Sequence, residues 1–399
     1  MRLREFSRAC SRAPAVAMIL VLAVLAVRPA RAQTYTVLHS FGSGTDGATP
    51  TGGVSSYGGL HPDGFLGSTE YGGTSGYGTV FHLTDSFTGG VWTETVVGSF
   101  TGADGSYPYS SPEGGYGTTN TGGVHNGGTV YSATDTGILG TVYNFCSAPN
   151  CSDGANPLGQ TLVLGTFVFG TTEGGGAEGE GTIFKLESST GAYTVVHSFD
   201  FAAGDGAFPT GSLAVNQAVT LLYGTTSEGG PPDEGTVFEL NLSSGALTIL
   251  HSFTGSPSGD GVRPVGGVIL DSAGNLYGTT SQGGKFGKGT VYEISAAGKE
   301  TVLYSFTGGA DGSAPEGALA QDPAGNLVGT TTSGGVGYGT VFELTPNGTL
   351  GVLHTFCVVA GCPDGATPTG SMYRGNTTFY GTTTSGGAYG KGVVFQLVE

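Results

Sequence analysis

Short apolar runs alternate with glycine-rich turns along almost the whole chain, and Gly266–Phe306 shows the pattern most fully. Runs of four to six residues rich in Val, Ile, Tyr and Thr, separated by Gly, Asn and Asp, are typical of strands joined by turns. The pattern therefore predicts four short strands in this stretch. They are Gly267–Leu270, Leu276–Thr280, Thr290–Ile294 and Thr301–Phe306.

Two aromatic positions recur roughly every 50 residues and mark seven copies of this unit. The first ends the run written VLHSF in several copies: Phe41, Phe100, Phe145, Phe199, Phe253, Phe306 and Phe356. The second lies in the run GTVF: Phe81, Tyr131, Phe184, Phe238, Tyr292, Phe342 and Phe395. Four strands in a unit of this length are typical of a propeller blade. A solenoid is the alternative, but neither end of the array shows the atypical capping unit that a solenoid needs.

The order of strands at the two ends favours a closed ring. Thr34–Phe41 is a lone fourth strand, and Gly392–Val398 is the third strand of the last unit. Pairing the two completes the last blade and leaves no open sheet edge. The sequence thus predicts an all-β fold, a seven-bladed β-propeller of four-stranded blades that forms a single domain over residues 33–399.

The second unit departs from the pattern. It has eight residues between Pro108 and Gly117, where the sixth has thirteen between Pro315 and Gly329. Its first hairpin is therefore expected to be shortened. The connection before it, Asp85–Thr93, is longer than its counterparts and contains the one tryptophan.

The first 32 residues read as a secretory signal peptide. Arginines at positions 2, 4, 8 and 12 precede the uncharged apolar run Ala15–Val27, and Ala30 and Ala32 flank the end of a cleavage site. The run is short for a membrane span. We expect cleavage before Gln33 and a secreted or cell-envelope protein with no membrane span in the mature chain; a retained N-terminal anchor is the alternative.

The charge of the chain limits its partners. The net charge is −17, and the basic residues are concentrated in the N-terminal segment. An acidic chain repels nucleic acid and anionic lipid. We expect no nucleic-acid partner, and a monomer.

Four cysteines form two closely spaced pairs at equivalent positions in two units. Cys146 and Cys151 follow Phe145, and Cys357 and Cys362 follow Phe356. In an exported chain this spacing predicts two local disulfides. A metal site is the alternative, although neither pair has a second Cys or His cluster nearby.

An Asp-Gly pair, with a proline three residues after the glycine, follows the fourth strand of each unit. If strands alternate in direction, these loops share one face with the glycine-rich loops between the second and third strands. The aspartates either ring that mouth and bind Ca²⁺ or sugar hydroxyls, or they cap their own turns. Recurrence in every unit favours the structural interpretation, and the candidate binding residues are Asp46, Asp104, Asp153, Asp205, Asp260, Asp311 and Asp364.

No catalytic motif stands out, so no catalytic residue or cofactor is predicted apart from Ca²⁺ as an option. His39, His197, His251 and His354 share a strand position with Tyr143 and Tyr304, which favours a strand role over a metal set. Repeated Thr pairs are likewise interpreted as strand residues. Carboxylates that break the repeat are the candidates for glycosidase chemistry: Glu70, Glu173, Glu178, Glu180, Glu228 and Glu234.

The pattern D-x-A-G-N-L-Y-G-T-T-x-x-G-G, followed by G-T-V-F-E-L and L-x-S-F, resembles the GloVer tandem repeat of exported bacterial proteins. Asp271–Leu303 and Asp322–Phe356 carry it most fully. The resemblance implies a surface or secreted repeat protein. The portion AGNLYGTT is more loosely similar to NHL-type propeller blades.

Three functions are consistent with these observations. The favoured one is a non-enzymatic exported protein that binds an extracellular glycan or surface protein through the loops of one face, since repeated loops suit weak multivalent contacts. The alternatives are a polysaccharide-active hydrolase or lyase with an asymmetric carboxylate site, and a purely structural envelope protein.

Overall fold

The computed structural model describes residues 33–42, 45–56, 64–86, 90–134, 137 and 139–398. Residues Gln33–Glu399 form one compact unit. The expected signal peptide lies outside the described residues. Apart from two 3-10 turns, Pro149–Cys151 and Phe201–Ala203, the regular structure is entirely β.

Seven antiparallel sheets form the blades of a β-propeller, as predicted. In order from the innermost to the outermost strand, blade 1 contains Val54–Ser56, Gly64–Thr69, Thr79–Asp85 and Trp92–Ser99, and blade 2 contains Tyr116–Thr119, Thr129–Ala133 and Leu139–Asn144. Blade 3 contains Leu162–Leu164, Phe167–Thr172, Thr182–Glu187 and Tyr193–Ser198, and blade 4 contains Ala214–Val215, Leu221–Thr226, Thr236–Asn241 and Leu247–Ser252. Blade 5 contains Ile269–Leu270, Leu276–Thr280, Thr290–Ile294 and Glu300–Ser305, and blade 6 contains Ala320–Gln321, Leu327–Thr331, Thr340–Leu344 and Leu350–Thr355. Blade 7 contains Tyr373–Arg374, Thr378–Thr383, Val393–Val398 and, as its outer strand, Thr34–Ser40.

The N-terminal strand closes the ring, as predicted. Thr34–Ser40 pairs antiparallel with Val393–Val398, with Thr34 opposite Val398. The last blade thus has four strands, and the two chain ends stabilise each other.

Blade 2 is the irregular blade, as its short first segment predicted. Its described sheet has three strands, and an isolated bridge between Glu113 and Tyr116 stands where other blades have their inner hairpin. The assignment of Trp92 to a connection was wrong. Trp92 begins the outer strand of blade 1 and pairs with Asp85, because its ring stacks on Phe65 at 5.6 Å and extends the hairpin.

One pair of aromatic rings spans each seam, which is the interface between two successive blades. The ring that ends an outer strand meets the third-strand ring of the next blade, with centroids 5.0 to 5.4 Å apart. The two positions that mark the repeat in the sequence are therefore partners in space. Each pair adds about 0.5–1.5 kcal/mol beyond its buried area. The pairs are Phe41–Phe81, Phe100–Tyr131, Phe145–Phe184, Phe199–Phe238, Phe253–Tyr292, Phe306–Phe342 and Phe356–Phe395.

The Asp-Gly loops, which lead from each outer strand to the next inner strand, share one face with the double-glycine loops between second and third strands. The two loops pair within each blade, as Ala48 does with Tyr71 and Ala366 with Ser385. Gly47 has φ 104°, and a Cβ there would lie 2.3 Å from Oγ1 of Thr69. That hydroxyl bonds to Oγ1 of Thr79 at 2.8 Å. The Thr pair is thus a structural element under the Asp-Gly turn.

Candidate functional site

Each of the seven aspartates accepts a backbone N–H bond within its own loop. Asp153 accepts from Ser147 at 2.9 Å, and Asp311 accepts from Thr307 at 2.8 Å. This geometry is what the structural interpretation of the aspartates requires. A ligand role for the ring stays a prediction. The other loops show the same bond, from Gly42 to Asp46, Thr101 to Asp104, Asp200 to Asp205, Thr254 to Asp260 and Cys357 to Asp364.

The outer-strand His or Tyr contacts the same carboxylate. Nε2 of His197 lies 2.7 Å from Oδ2 of Asp205, and the Tyr143 hydroxyl donates to Asp153 at 2.7 Å. His and Tyr alternate around the ring because both present a hydrogen-bond donor at this reach. Sequence reasoning missed this pairing, although the recurrence of His or Tyr at one strand position was its signal. One unit has Gly98 at that position, and among the described residues the carboxylate of its aspartate, Asp104, accepts hydrogen bonds from Thr101 alone.

Both predicted disulfides are present. Cys146 is joined to Cys151 and Cys357 to Cys362. Each closes a short loop directly before Asp153 or Asp364, so the bridge constrains the turn that the aspartate caps. A metal role for these cysteines is excluded, because the sulfur atoms are joined to each other.

A central channel opens on the loop face, where segments from all seven blades line its mouth. Seven residues form the inner ring of this mouth, each directly after the proline that follows an Asp-Gly pair. Unlike the aspartates, these residues differ from blade to blade. They are Thr51, Tyr109, Leu158, Thr210, Val265, Glu316 and Thr369.

The mouth carries more negative than positive charge. Burial raises the pKa of Tyr109, and the nearby carboxylates of Glu316, Glu70 and Glu173 raise it further. Burial also raises the pKa of Glu316, although the Arg263 guanidinium opposes that effect. Tyr109 and Glu316 line the same channel wall. A ligand entering the channel therefore meets a phenol and a carboxyl group.

The six candidate carboxylates fall into two groups. Burial raises the pKa of Glu173, and the charge of Glu228 on the next blade raises it further. Glu70 acts on Tyr109 from blade 1. The remaining three lie apart: Glu178 is exposed, Glu180 accepts the N–H of Phe201, and Glu234 lies beside Gly255.

Three tyrosines form a cluster across the seam between blades 1 and 2, and Tyr109 at the channel mouth follows Tyr107 by two residues. The ring of Tyr107 lies 5.4 Å from that of Tyr71 and 6.0 Å from that of Tyr77. Tyr71 is 45% exposed and Tyr77 37%, and Tyr109 at the channel is 38% exposed. We call Tyr71, Tyr77, Tyr107 and Tyr109 the tyrosine platform. Sequence reasoning missed it, because its members occupy different positions of the repeat.

The repeat itself has a known family. Residues 65–261 and 256–399 match the sequence model of the Gloeobacter/Verrucomicrobia repeat. The chain belongs to the Gloeobacter/Verrucomicrobia repeat family. This confirms the resemblance found in the sequence. A search of the curated proteins finds no match.

Solved structures resemble this Gloeobacter/Verrucomicrobia repeat protein at low identity. A puromycin-hydrolyzing peptidase of Mycobacterium tuberculosis has a TM-score of 0.50 at 13% identity, with 84% of this chain and 50% of that chain covered. A puromycin hydrolase in complex with PGG has a TM-score of 0.52 at 10% identity, with the same shares covered. An oligogalacturonate lyase in complex with manganese has a TM-score of 0.50 at 12% identity, covering 84% and 86%. These matches show the propeller fold alone.

Within the described residues, no helix has the length and apolar character needed to cross a membrane.

Proposed function

We propose that this protein is an exported propeller that binds a glycan on the tyrosine platform and at the adjoining channel mouth. The observation that carries the proposal is that Tyr109, exposed at the channel mouth, lies near the carboxylates of Glu316, Glu70 and Glu173, while the exposed rings of Tyr71 and Tyr77 flank the neighbouring seam. Ligand sites combine apolar faces with a few convergent polar groups. The platform supplies the first and Glu316, Glu70 and Glu173 supply the second.

The chemistry of a sugar chain suits this surface. A pyranose ring has an apolar face that packs on an aromatic ring and hydroxyls that donate to carboxylates. The tyrosines are rigid, amphipathic contact residues that need little ordering on binding. The acidic charge disfavours polyanionic chains. We therefore expect neutral or amino-sugar polysaccharides to bind in preference to polyuronates.

Export is part of the proposal and is supported by the two disulfides, which persist in oxidising compartments. Cell fractionation tests it. Recovery of the protein in the cytoplasm with free thiols would contradict export.

Binding is tested by a glycan array and a soluble-polysaccharide screen, with and without Ca²⁺. The double variant Tyr71→Ser and Tyr109→Thr carries residues found at the equivalent positions of other units, as in Ser385 and Thr51. We expect it to lose binding by about tenfold or more, since hot-spot truncations cost ~2 kcal/mol. Tyr389→Ser, which removes a 57% exposed tyrosine elsewhere, is the matched control and should bind normally.

Other results have distinct meanings. Calcium-dependent binding that survives the double variant would move the site to the seven aspartates. If the protein binds a surface protein and no glycan, the channel mouth would remain the candidate site, but its ligand would be a protein. Silence in every screen would overturn the proposal and favour a structural envelope role.

The raised pKa of Glu173, to which the charge of Glu228 contributes, supports a second candidate, a polysaccharide hydrolase or lyase. Glycosidases use two carboxyl groups, one of them with a raised pKa, and burial raises that of Glu173. The screen is therefore accompanied by assays for reducing sugar and for unsaturated uronate. Product formation by the unmodified protein that Glu173→Gln abolishes would establish this candidate in place of simple binding.

A further inference from the structure

The seam between blades 4 and 5 brings together a histidine and two carboxylates from three separate segments. His251 lies on the outer strand of blade 4, Asp260 in the loop that follows, and Glu300 at the start of the outer strand of blade 5. One ligand atom from each lies within 4.8 Å of the other two. Nε2 of His251 is 3.1 Å from Oδ2 of Asp260. This cluster is separate from the channel mouth.

One carboxylate oxygen of Glu300 lacks a hydrogen-bond partner in this seam. Its Oε1 atom is shielded from solvent and has no hydrogen-bond partner. Burial raises the pKa of Glu300, and the Asp260 carboxylate raises it further. Two adjacent carboxylates shielded from water need a positive charge beside them. The imidazole of His251 lies at the same place.

The fold does not require glutamate at this position. Five of the other six seams have an apolar or aromatic residue at the position of Glu300, which faces the third strand of its own blade. Tyr35 there stacks on His354 at 3.8 Å, and Tyr193 stacks on Tyr143 at 3.9 Å. A carboxylate in place of these residues gives up packing, so its presence calls for another role. The residues at this position are Tyr35, Leu139, Tyr193, Leu247 and Leu350, with Glu94 in the blade 7–blade 1 seam.

We propose that His251, Asp260 and Glu300 bind a divalent first-row transition-metal ion with the ligand preferences of Zn²⁺. One imidazole nitrogen and two carboxylate oxygens match a zinc site with an open fourth position, with bonds of about 2.0–2.2 Å. Ca²⁺ fits less well, because it takes six to eight oxygen ligands. The backbone N–H groups of Thr254 and Gly261 donate to the Asp260 oxygens and thereby hold the carboxylate in place beside His251. The ion neutralises the two carboxylates.

Metal binding requires Nε2 of His251 to be free of its proton. In the metal-free seam that nitrogen donates to Asp260, so the imidazole shifts its remaining proton to Nδ1 when the ion binds. Any proton on Glu300 or on a doubly protonated imidazole leaves to solvent. The affinity for Zn²⁺ is therefore expected to rise with pH.

The test is equilibrium dialysis of the chelator-treated full chain against Zn²⁺, with excess Ca²⁺ and Mg²⁺ to occupy surface carboxylates. His251→Tyr and Glu300→Leu introduce residues that stand at these positions in other seams, Tyr304 and Leu350. His197→Tyr makes the same change in a seam where Leu247 replaces the glutamate. We expect saturable Zn²⁺ binding of equal affinity in the unmodified protein and in His197→Tyr, and a loss of affinity of about tenfold or more for this site in the two seam variants.

Two results would overturn the proposal. One is the lack of saturable Zn²⁺ binding by the unmodified protein across pH 6 to 8. The other is unchanged affinity in both seam variants, with native circular dichroism showing that they fold. Neither result bears on glycan binding, because the seam and the tyrosine platform share no residue.

Discussion

The seams and the channel mouth follow opposite rules in one ring. At the seams the same aromatic pair and the same capped aspartate recur from blade to blade. At the mouth the equivalent residues run from Val265 to Glu316 to Tyr109. Every blade needs to be joined to its neighbour, whereas a single ligand needs one asymmetric surface. Repetition therefore reports on the fold, and departure from it reports on function.

Removing an aromatic ring from a seam is expected to have the largest effect on the free energy of unfolding. Phe306 is fully buried against Phe342. We expect Phe306→Ala to lower the free energy of unfolding by about 3–5 kcal/mol, because it leaves a cavity between blades 5 and 6. Val336→Ala, at a 55% exposed loop position, should cost little. Denaturant titration measures both, and equal effects would contradict the role given to the aromatic pairs.

Substitution of two glycines, one at a seam and one in open space, distinguishes the cost of backbone strain from the cost of steric crowding. Gly181 has φ 101°, and a Cβ there would lie 2.4 Å from the Thr172 carbonyl and 2.6 Å from Pro209 of the next blade. Gly179 has φ 88° with nothing within 4 Å. We expect Gly181→Ala to cost about 2–3 kcal/mol and Gly179→Ala about 1 kcal/mol. Unfolding curves that coincide would show that the close approach of the blades does not matter.

The capped aspartates are expected to matter less and to depend on pH. Asp311 is partly buried, which raises its pKa, but hydrogen bonds from Thr307 and Tyr304 lower the pKa below its ordinary value. We expect Asp311→Ala to cost about 1–2 kcal/mol at neutral pH. Because the folded pKa is depressed, this stability is present above about pH 4 and is lost as pH falls through the folded pKa.

The control variant is at Asp104, in the one loop whose preceding outer strand has a glycine, Gly98, in place of the His or Tyr. Asp104→Ala removes a carboxylate whose one hydrogen-bonding partner, in the part of the chain that the structure describes, is Thr101. It should cost less than Asp311→Ala at neutral pH. A larger effect at Asp104, or a difference at Asp311 that does not shrink as pH falls below about 4, would contradict the account of the aspartates as turn caps.

Much of the fold was predictable because it depends on short-range patterns. The strands of blade 5 begin and end within about two residues of their predicted limits, and the closure by Thr34–Ser40 follows from counting strands. The disulfides and the shared loop face were predictable for the same reason. Each is decided by residues close in sequence or by the direction of successive strands.

The candidate site was less predictable because it depends on contacts across seams. Tyr107 precedes Pro108, a position that normally favours extended backbone, yet its φ is 58°. Its N–H donates to Tyr77 and its carbonyl accepts from Asn120, and these two bonds hold the unusual conformation. Nothing about a Tyr-Pro dipeptide indicates this turn. The ring of Tyr107 reaches Tyr71 because of it.

A substitution inside the channel is expected to have the smallest effect on stability. Glu113 lies in blade 2, where the inner hairpin is reduced to one bridge, and it lines a cavity together with Gln160 and Ser371. Burial raises the pKa of Glu113 to about 7. The folded state therefore keeps a proton on this carboxyl group that the unfolded chain releases near its ordinary pKa.

A raised carboxyl pKa lowers stability as pH rises from about 4.5 to 7, because ionisation then favours the unfolded chain. Glu113→Gln removes that ionisation and keeps the shape of the side chain. We expect the variant to match the unmodified protein near pH 4 and to exceed its stability by about 1 kcal/mol at pH 8, a figure reduced from the full shift for solvent screening. Denaturant titrations at the two pH values measure the difference. A gain that is already present at pH 4 would point to packing instead, and the reduced hairpin of blade 2 would then create space in the channel without burying a charge.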